Sequence, residues 1–148
     1  MPKTLTVEAT YAGDPDKVFA SAIHFDEMKT VMAPLACYEG LPSESAIEGN
    51  TYTLRTKFWG WLDVGPHTIF LETLDTAGRR LQSREHNASI RRWDHLLTVE
   101  PHRDGALWLD QIELEAGWRT FAVARFARYV YRFRHRQRPA LSLTSHIR

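Results

Sequence analysis

The stretch RWDHLLTVEPHRDGALWLDQIELEAG, Arg92 to Gly117, decides how the rest of the chain is read. Before its central Arg103-Asp104-Gly105, the residues Trp93, His95, Leu97 and Val99 share one parity; after it, Trp108, Asp110, Ile112 and Leu114 do the same. A period of two is the mark of a strand with one buried face. Two such runs joined by a tight turn form an antiparallel hairpin, here over residues 92–100 and 106–116. A turn centred on Arg103-Asp104 sets His95 opposite Ile112 and leaves Asp110 one diagonal step away, about 7–8 Å between backbones. The pattern thus carries a histidine and an aspartate into an otherwise apolar face.

Working upstream, the same period holds over residues 35–40, 50–59, 66–75 and 80–87, interrupted at Gly49-Asn50, Trp59-Gly60-Trp61, Ala77-Gly78 and Asn87-Ala88-Ser89. Such short connections imply an antiparallel meander. Residues 4–11 alternate too and run into Gly13-Asp14-Pro15. Asp14 is a good N-cap and Pro15 suits the first helical position, so a short helix is expected to about His24, with Val18, Phe19, Ala22 and Ile23 on its apolar side. Phe25 to Met32 reads as a second helix, stopped by Pro34.

Downstream of Gly117 the period becomes helical. Phe121, Ala122, Phe126, Tyr129, Val130 and Phe133 form one expected stripe, and Arg125, Arg128, Arg132 and Arg136 another, until Pro139. The expected organisation is one domain over residues 1–139 followed by a flexible tail, 140–148.

The chain has 148 residues, 43% of them hydrophobic and 25% charged. A chain this long typically buries roughly 68–70% of its unfolded surface, enough for a core without covalent staples. The single cysteine, Cys37, cannot form an internal bridge and is expected to be a small buried residue. No Cys/His spacing suits a metal, since His24, His67, His86, His95 and His102 are scattered, and no Gly-x-Ser-x-Gly hydrolase elbow occurs. Without an apolar run of the roughly 20 residues that a bilayer requires, and with no apolar leader, the chain reads as soluble and cytoplasmic. Charge is uneven: residues 1–116 hold 11 Lys/Arg against 18 acids, and residues 117–148 hold 8 Arg and no acid.

A strand, two short helices, six further strands and a long helix form an α+β order in which a curved sheet needs a cover. Here the sequence resembles the START/Bet v 1-like superfamily, which includes polyketide cyclases, coenzyme-Q-binding proteins and lipid carriers. The resemblance runs over residues 3–138. It is carried by the opening strand Thr4 to Tyr11, the helix start Asp14-Pro15-Asp16-Lys17-Val18-Phe19, Trp93-Asp94-His95, the strand Asp110-Gln111-Ile112-Glu113 leading to Ala116-Gly117, and the Arg-rich end Tyr131 to Arg138. It implies a helix-grip fold: a curved antiparallel sheet of about seven strands around a long C-terminal helix, with a cavity between them. No organic or metal cofactor is implied. Because the superfamily holds both enzymes and carriers, a reaction is not implied either.

Parity also places Glu85 inward, with Leu81 and Ser83, and a loop centred near Ser89 sets it opposite Trp93 and beside His95. Glu85, His95 and Asp110 are therefore the candidate catalytic residues. A histidine between two carboxylates is stabilised as the cation, and the trio can serve as a core ion pair, orient a ligand or transfer protons. Tyr52, Leu54 and Phe58, on one face with Thr56, join Trp93, Trp108, Ile112 and Phe126 as the expected ligand-binding lining. Trp59 and Trp61 are expected either at the cavity mouth or tucked under the long helix. The expected function is binding of a lipophilic or aromatic small molecule. The alternatives are a cyclase- or dehydratase-like enzyme using His95 and Asp110, and an interaction module docking Arg125, Arg128 and Arg132 on an anionic membrane. Nucleic acid is not an expected partner, because the acidic body would repel phosphates.

Overall fold

In the computed structural model, which describes residues 1–138, the elements run β1 (Lys3–Tyr11), α1 (Pro15–Ala22), α2 (Phe25–Met32), β2 (Ala36–Glu39), β3 (Thr51–Phe58), β4 (Leu62–Asp75), β5 (Arg80–Asn87), β6 (Arg92–His102), β7 (Gly105–Glu115) and α3 (Thr120–Arg136). The expected Pro139 stop and the tail 140–148 lie outside the described residues. All seven strands form one antiparallel sheet in the order β1-β7-β6-β5-β4-β3-β2. A meander of six strands is closed by β1, which pairs with the last of them. The register of the β6–β7 hairpin sets His95 opposite Ile112 and Leu97 opposite Asp110.

Local chemistry explains the helix starts. Asp14 accepts the backbone N–H of Asp16 at 2.7 Å and of Lys17 at 3.4 Å, ahead of Pro15 in the first turn of α1. At the start of α3 the Thr120 hydroxyl accepts from the Ala116 N–H at 2.9 Å and donates to the Gly117 carbonyl at 2.7 Å. This bridges the last strand to the helix through one 3-10 turn at Gly117–Arg119.

Two expectations change. Strand β4 begins at Leu62 rather than at residue 66, because Trp59 (φ 54) and Gly60 (φ 76) close a tight turn that pairs Phe58 with Leu62. Val64 and Gly65 together face Thr56 in a bulge, where the register shifts between Arg55 and Lys57. Cys37 is exposed, not buried, because Ala36 and Tyr38 take the inward parity of the short β2.

The inward face of α3 also differs from the apolar stripe of the sequence. Thr120, Ala124, Ala127, Arg134 and His135 are the buried positions, whereas Phe121 and Tyr129 are exposed. Ala124 and Ala127 seat the helix on Leu5, Val7, Ile112 and Leu114, and the small side chains let it lie close to β1 and β7. Phe126, Val130 and Phe133 flank this seam and pack on Met32, Leu35, Ala36 and Phe58. A third cluster, including Phe19, Phe25, Leu54, Leu71, Leu81, Val99 and Trp108, lies under α1 and α2.

The register also defines two ends of the sheet. One end gathers the start of β1, the β3–β4 turn, the β5–β6 loop and the end of β7, from which α3 departs. At the other end the last turn of α3 meets α1: Arg134 Nη2 donates to the Ala22 carbonyl at 2.9 Å and Arg138 Nη2 to the Ser21 hydroxyl at 2.8 Å. Both guanidiniums also pair with Glu27 on α2.

Candidate functional site

The concave face carries a line of polar side chains lengthwise beneath α3, each delivered by strand parity or by the helix. Its centre is Asp110 on β7, fully buried, with one carboxylate oxygen 2.7 Å from His95 Nε2 and the other 3.2 Å from His135 Nε2. His135, from the last turn of α3, is also buried, and its Nδ1 lies 2.6 Å from the Tyr11 hydroxyl on β1.

Proton positions follow from the chemistry of the partners. Burial pushes the Asp110 carboxyl upward, but hydrogen bonds and charge from His135 and His95 outweigh this, so its pKa lies below the ordinary 3.8. Ionised, it can only accept, and both imidazoles must present Nε2–H to it. Burial lowers the His135 pKa below 6.5 against the pull of Asp110, leaving the ring neutral and its Nδ1 a bare acceptor. The Tyr11 hydroxyl therefore donates to it. Burial holds that phenol at about 12, protonated throughout the neutral range.

On the other side of Asp110, His95 meets a looser set. Its Nδ1 lies 3.5 Å from the Tyr131 hydroxyl of α3 and 4.0 Å from Glu85 Oε1. Both contacts are at or beyond the outer limit of a hydrogen bond. Glu85 is itself held: Ser83 Oγ donates to Oε1 at 2.6 Å and His67 Nε2 lies 2.8 Å from Oε2. His67 Nδ1 in turn meets the Asn87 amide at 3.2 Å. Rings enclose this half. Trp93 stacks near Tyr131 at 6.4 Å between centroids, His67 meets Trp93 edge-on at 6.2 Å, and Tyr131 meets His95 edge-on at 5.2 Å. The indole N–H of Trp93 is buried without a hydrogen-bond partner among the described residues.

The structure thus brings Glu85, His95 and Asp110 into one neighbourhood. It adds Tyr11, His67, Ser83, Tyr131 and His135 to them. His67 and Ser83 share the inward parity of their strands, so that signal was present in the sequence. His135 sits in a run of arginines that reads as a solvated face, and only the tertiary fold reveals its partner.

The expected ligand-binding residues divide. Trp93 faces the polar line. Phe58 and Phe126 meet edge-on at 5.0 Å where α3 crosses β3. Tyr52 packs on Phe25 at 4.9 Å, and Leu54 is buried in the cluster beneath α1 and α2. Trp108 and Ile112 are fully buried in packed core: Trp108 carries the Arg134 and Arg138 guanidiniums 4.8 Å and 4.5 Å from its ring centroid, and Ile112 lies under Ala124 and Ala127. Among the described residues no group of three His, Cys, Asp or Glu is arranged to hold a metal ion.

No family model and no curated protein matches the chain. Solved structures do. The chain is similar to Ara h 8.0201, with a TM-score of 0.65 at 11% identity over 93% of this chain and 98% of that one. It is similar to protein CV1439 from Chromobacterium violaceum, with 0.69 at 15% identity over 93% and 96%. Protein MLL2253 from Mesorhizobium loti gives 0.71 at 12% identity over 94% and 96%. These likenesses cover nearly the whole of each chain, and they agree with the seven-stranded sheet, the two short helices after β1 and the covering α3. The chain has the helix-grip fold, a curved seven-stranded antiparallel sheet covered by a long C-terminal helix, which it shares with these structures.

Proposed function

We propose that the protein binds a lipophilic or aromatic small molecule between the concave face of the sheet and α3, with the ligand's polar end at His95. The observation that carries this reading is the slack around His95 Nδ1. Elsewhere along the line the ring nitrogens are matched at 2.6–3.2 Å. At His95 Nδ1 the nearest groups stand at 3.5 and 4.0 Å. A ligand hydroxyl donating to Nδ1 supplies the missing partner, and the unpaired Trp93 N–H can donate to a ligand oxygen. Specific polar groups inside a mainly aromatic surrounding are the usual make-up of a small-molecule site.

A second reading is favoured by the Asp110–His95 pair. An imidazole held by an ionised carboxylate at Nε2 presents Nδ1 as a base, and the imidazolium formed when it takes a proton is stabilised by that carboxylate. A substrate with an acidified C–H or O–H at Nδ1 would lose its proton there and regain one at another atom, the step required of a cyclase or dehydratase.

His95→Gln separates the two readings, since it retains volume and hydrogen bonding but does not titrate. Binding measured by tryptophan fluorescence should weaken by about 0.5–1.5 kcal/mol if His95 orients a ligand. If His95 transfers protons, turnover of a substrate identified for the protein should fall by about 10²–10⁴ while binding survives. A variant with unchanged affinity and turnover and reduced thermal stability would overturn both, making His95 a core residue only.

A further inference from the structure

The large apolar residues left in water are not spread evenly. Trp61 is 74% exposed, Trp118 92%, Phe121 66% and Trp59 48%, and Val64 is exposed beside them. All five lie at the end of the sheet from which α3 departs, on the β3–β4 turn, the first residues of β4, and the link between β7 and α3. Of the five tryptophans in the chain, Trp59, Trp61 and Trp118 are exposed, all three at this end. Away from this end the exposed large apolar residues stand singly: Ile47 before β3, Phe70 opposite the first residue of β3 and Tyr129 midway along α3. Single exposed apolar side chains are ordinary, but a cluster on one rim marks a binding surface.

Charge narrows the choice of partner. The same end carries Lys3, Lys57, Arg91, Arg92 and Arg119 against Asp63, Asp94, Glu113 and Glu115, and Asp94 is paired with both Arg92 and Arg84. Asp63 is already held by Arg55 at 2.7 Å and Glu113 by Arg92 at 3.1 Å. The Lys3 ammonium sits 4.3 Å from the centroid of the Phe121 ring and the Arg119 guanidinium 5.9 Å from that of Trp118, so cation and aromatic ring are presented together. Arg125, one turn along α3, extends the basic rim, and it too is exposed.

We infer that this aromatic and basic end docks on the surface of an anionic membrane. Tryptophan seeks the boundary between headgroups and acyl chains, with neighbouring lysine and arginine drawn to anionic headgroups. A second copy of the chain is a poorer fit, because a two-fold contact would bring the cationic rim against itself. Docking rests on the rim and not on whatever occupies the space near His95. It also differs from docking along Arg125, Arg128 and Arg132, since the aromatic turn and the start of α3 supply the anchor.

The test is co-sedimentation of the full chain with phosphatidylcholine vesicles, with and without phosphatidylserine, alongside Trp61→Ala/Trp118→Ala and Lys3→Glu/Arg119→Glu. Wild-type protein should partition to the anionic vesicles at about 0.1 M salt and release at about 1 M, where the Debye length shrinks from about 10 Å to about 3 Å. Each double variant should partition at least ~10-fold more weakly, with little change in melting temperature because Trp61, Trp118 and Arg119 are exposed and Lys3 is half-buried at the first residue of β1. Equal capture by neutral and anionic vesicles, or undiminished capture of both variants, would overturn the proposal. So would a wild-type dimer that the tryptophan variant renders monomeric while vesicles capture neither protein, or retention of an oligonucleotide in place of vesicles.

Discussion

Asp110 holds two imidazoles at once, and its charge is tolerated at full burial because each oxygen accepts an N–H. Asp110→Asn keeps the shape but turns one acceptor into an amino group facing an N–H donor. It should destabilise the fold by about 1–3 kcal/mol in urea unfolding; unchanged stability would contradict the ionised, doubly accepting carboxylate. His135 sets a pH dependence. Its folded pKa lies below the ordinary 6.5, so the unfolded chain takes up this proton first as pH falls. Stability is therefore full above about 6.5 and declines as pH drops towards the lower folded value, by up to about 1.4 kcal/mol per pH unit for one proton. Asp110, lowered below 3.8, adds loss in the same direction at more acid pH. His135→Leu should be less stable at pH 7, because the Tyr11 hydroxyl loses its acceptor and Asp110 one of its donors, and should show a shallower decline between pH 7 and 5. The same slope in both proteins would mean that His135 is not the neutral link.

At the scale of elements, α3 is seated by alanines rather than by its aromatic residues. Ala127→Leu forces added methyl groups between the helix and the β1–β7 pair and should cost about 1–3 kcal/mol, read as a lower denaturant midpoint. No change would mean that another face of α3 meets the sheet. Gly105 supplies a second test. With φ at 129 and a Cβ that would stand 2.6 Å from the Gly13 nitrogen, Gly105→Ala should destabilise the β6–β7 turn. The hairpin was legible in the sequence because a short turn and strict parity fix a register, and the same parity placed Glu85, His95 and Asp110 on one face. The seam of α3 was not. Hydrophobicity favours Phe121 and Tyr129 over Ala124 and Ala127, and it cannot foresee that Arg134, His135 and Arg138 find partners in Glu27, Ser21 and Asp110, more than a hundred residues away in some cases. The start of β4 was hidden for a different reason, since the bulge opposite Thr56 breaks the period of two between Leu62 and Pro66.

For the whole molecule, the fold gathers side chains on two surfaces: a polar line inside the sheet and an aromatic rim at one end. The line runs from Asn87 and His67 through Glu85, His95 and Asp110 to His135 and Tyr11, so it joins β1, β4, β5, β6, β7 and α3 through side chains. Its most loosely satisfied atom, His95 Nδ1, lies in the half enclosed by Trp93 and Tyr131, and binding there should stabilise the folded state. A ligand that binds only the folded protein adds about 2.7 kcal/mol at a hundredfold excess over Kd. The most direct measurement is native mass spectrometry of freshly purified protein, followed by thermal unfolding with a panel of isoprenoid, fatty-acid and polyaromatic compounds. The binding account predicts a co-purified lipophilic molecule or a raised Tm with members of the panel, reduced in His95→Gln. Bare protein in the spectrometer and an unmoved Tm across the whole panel would contradict it.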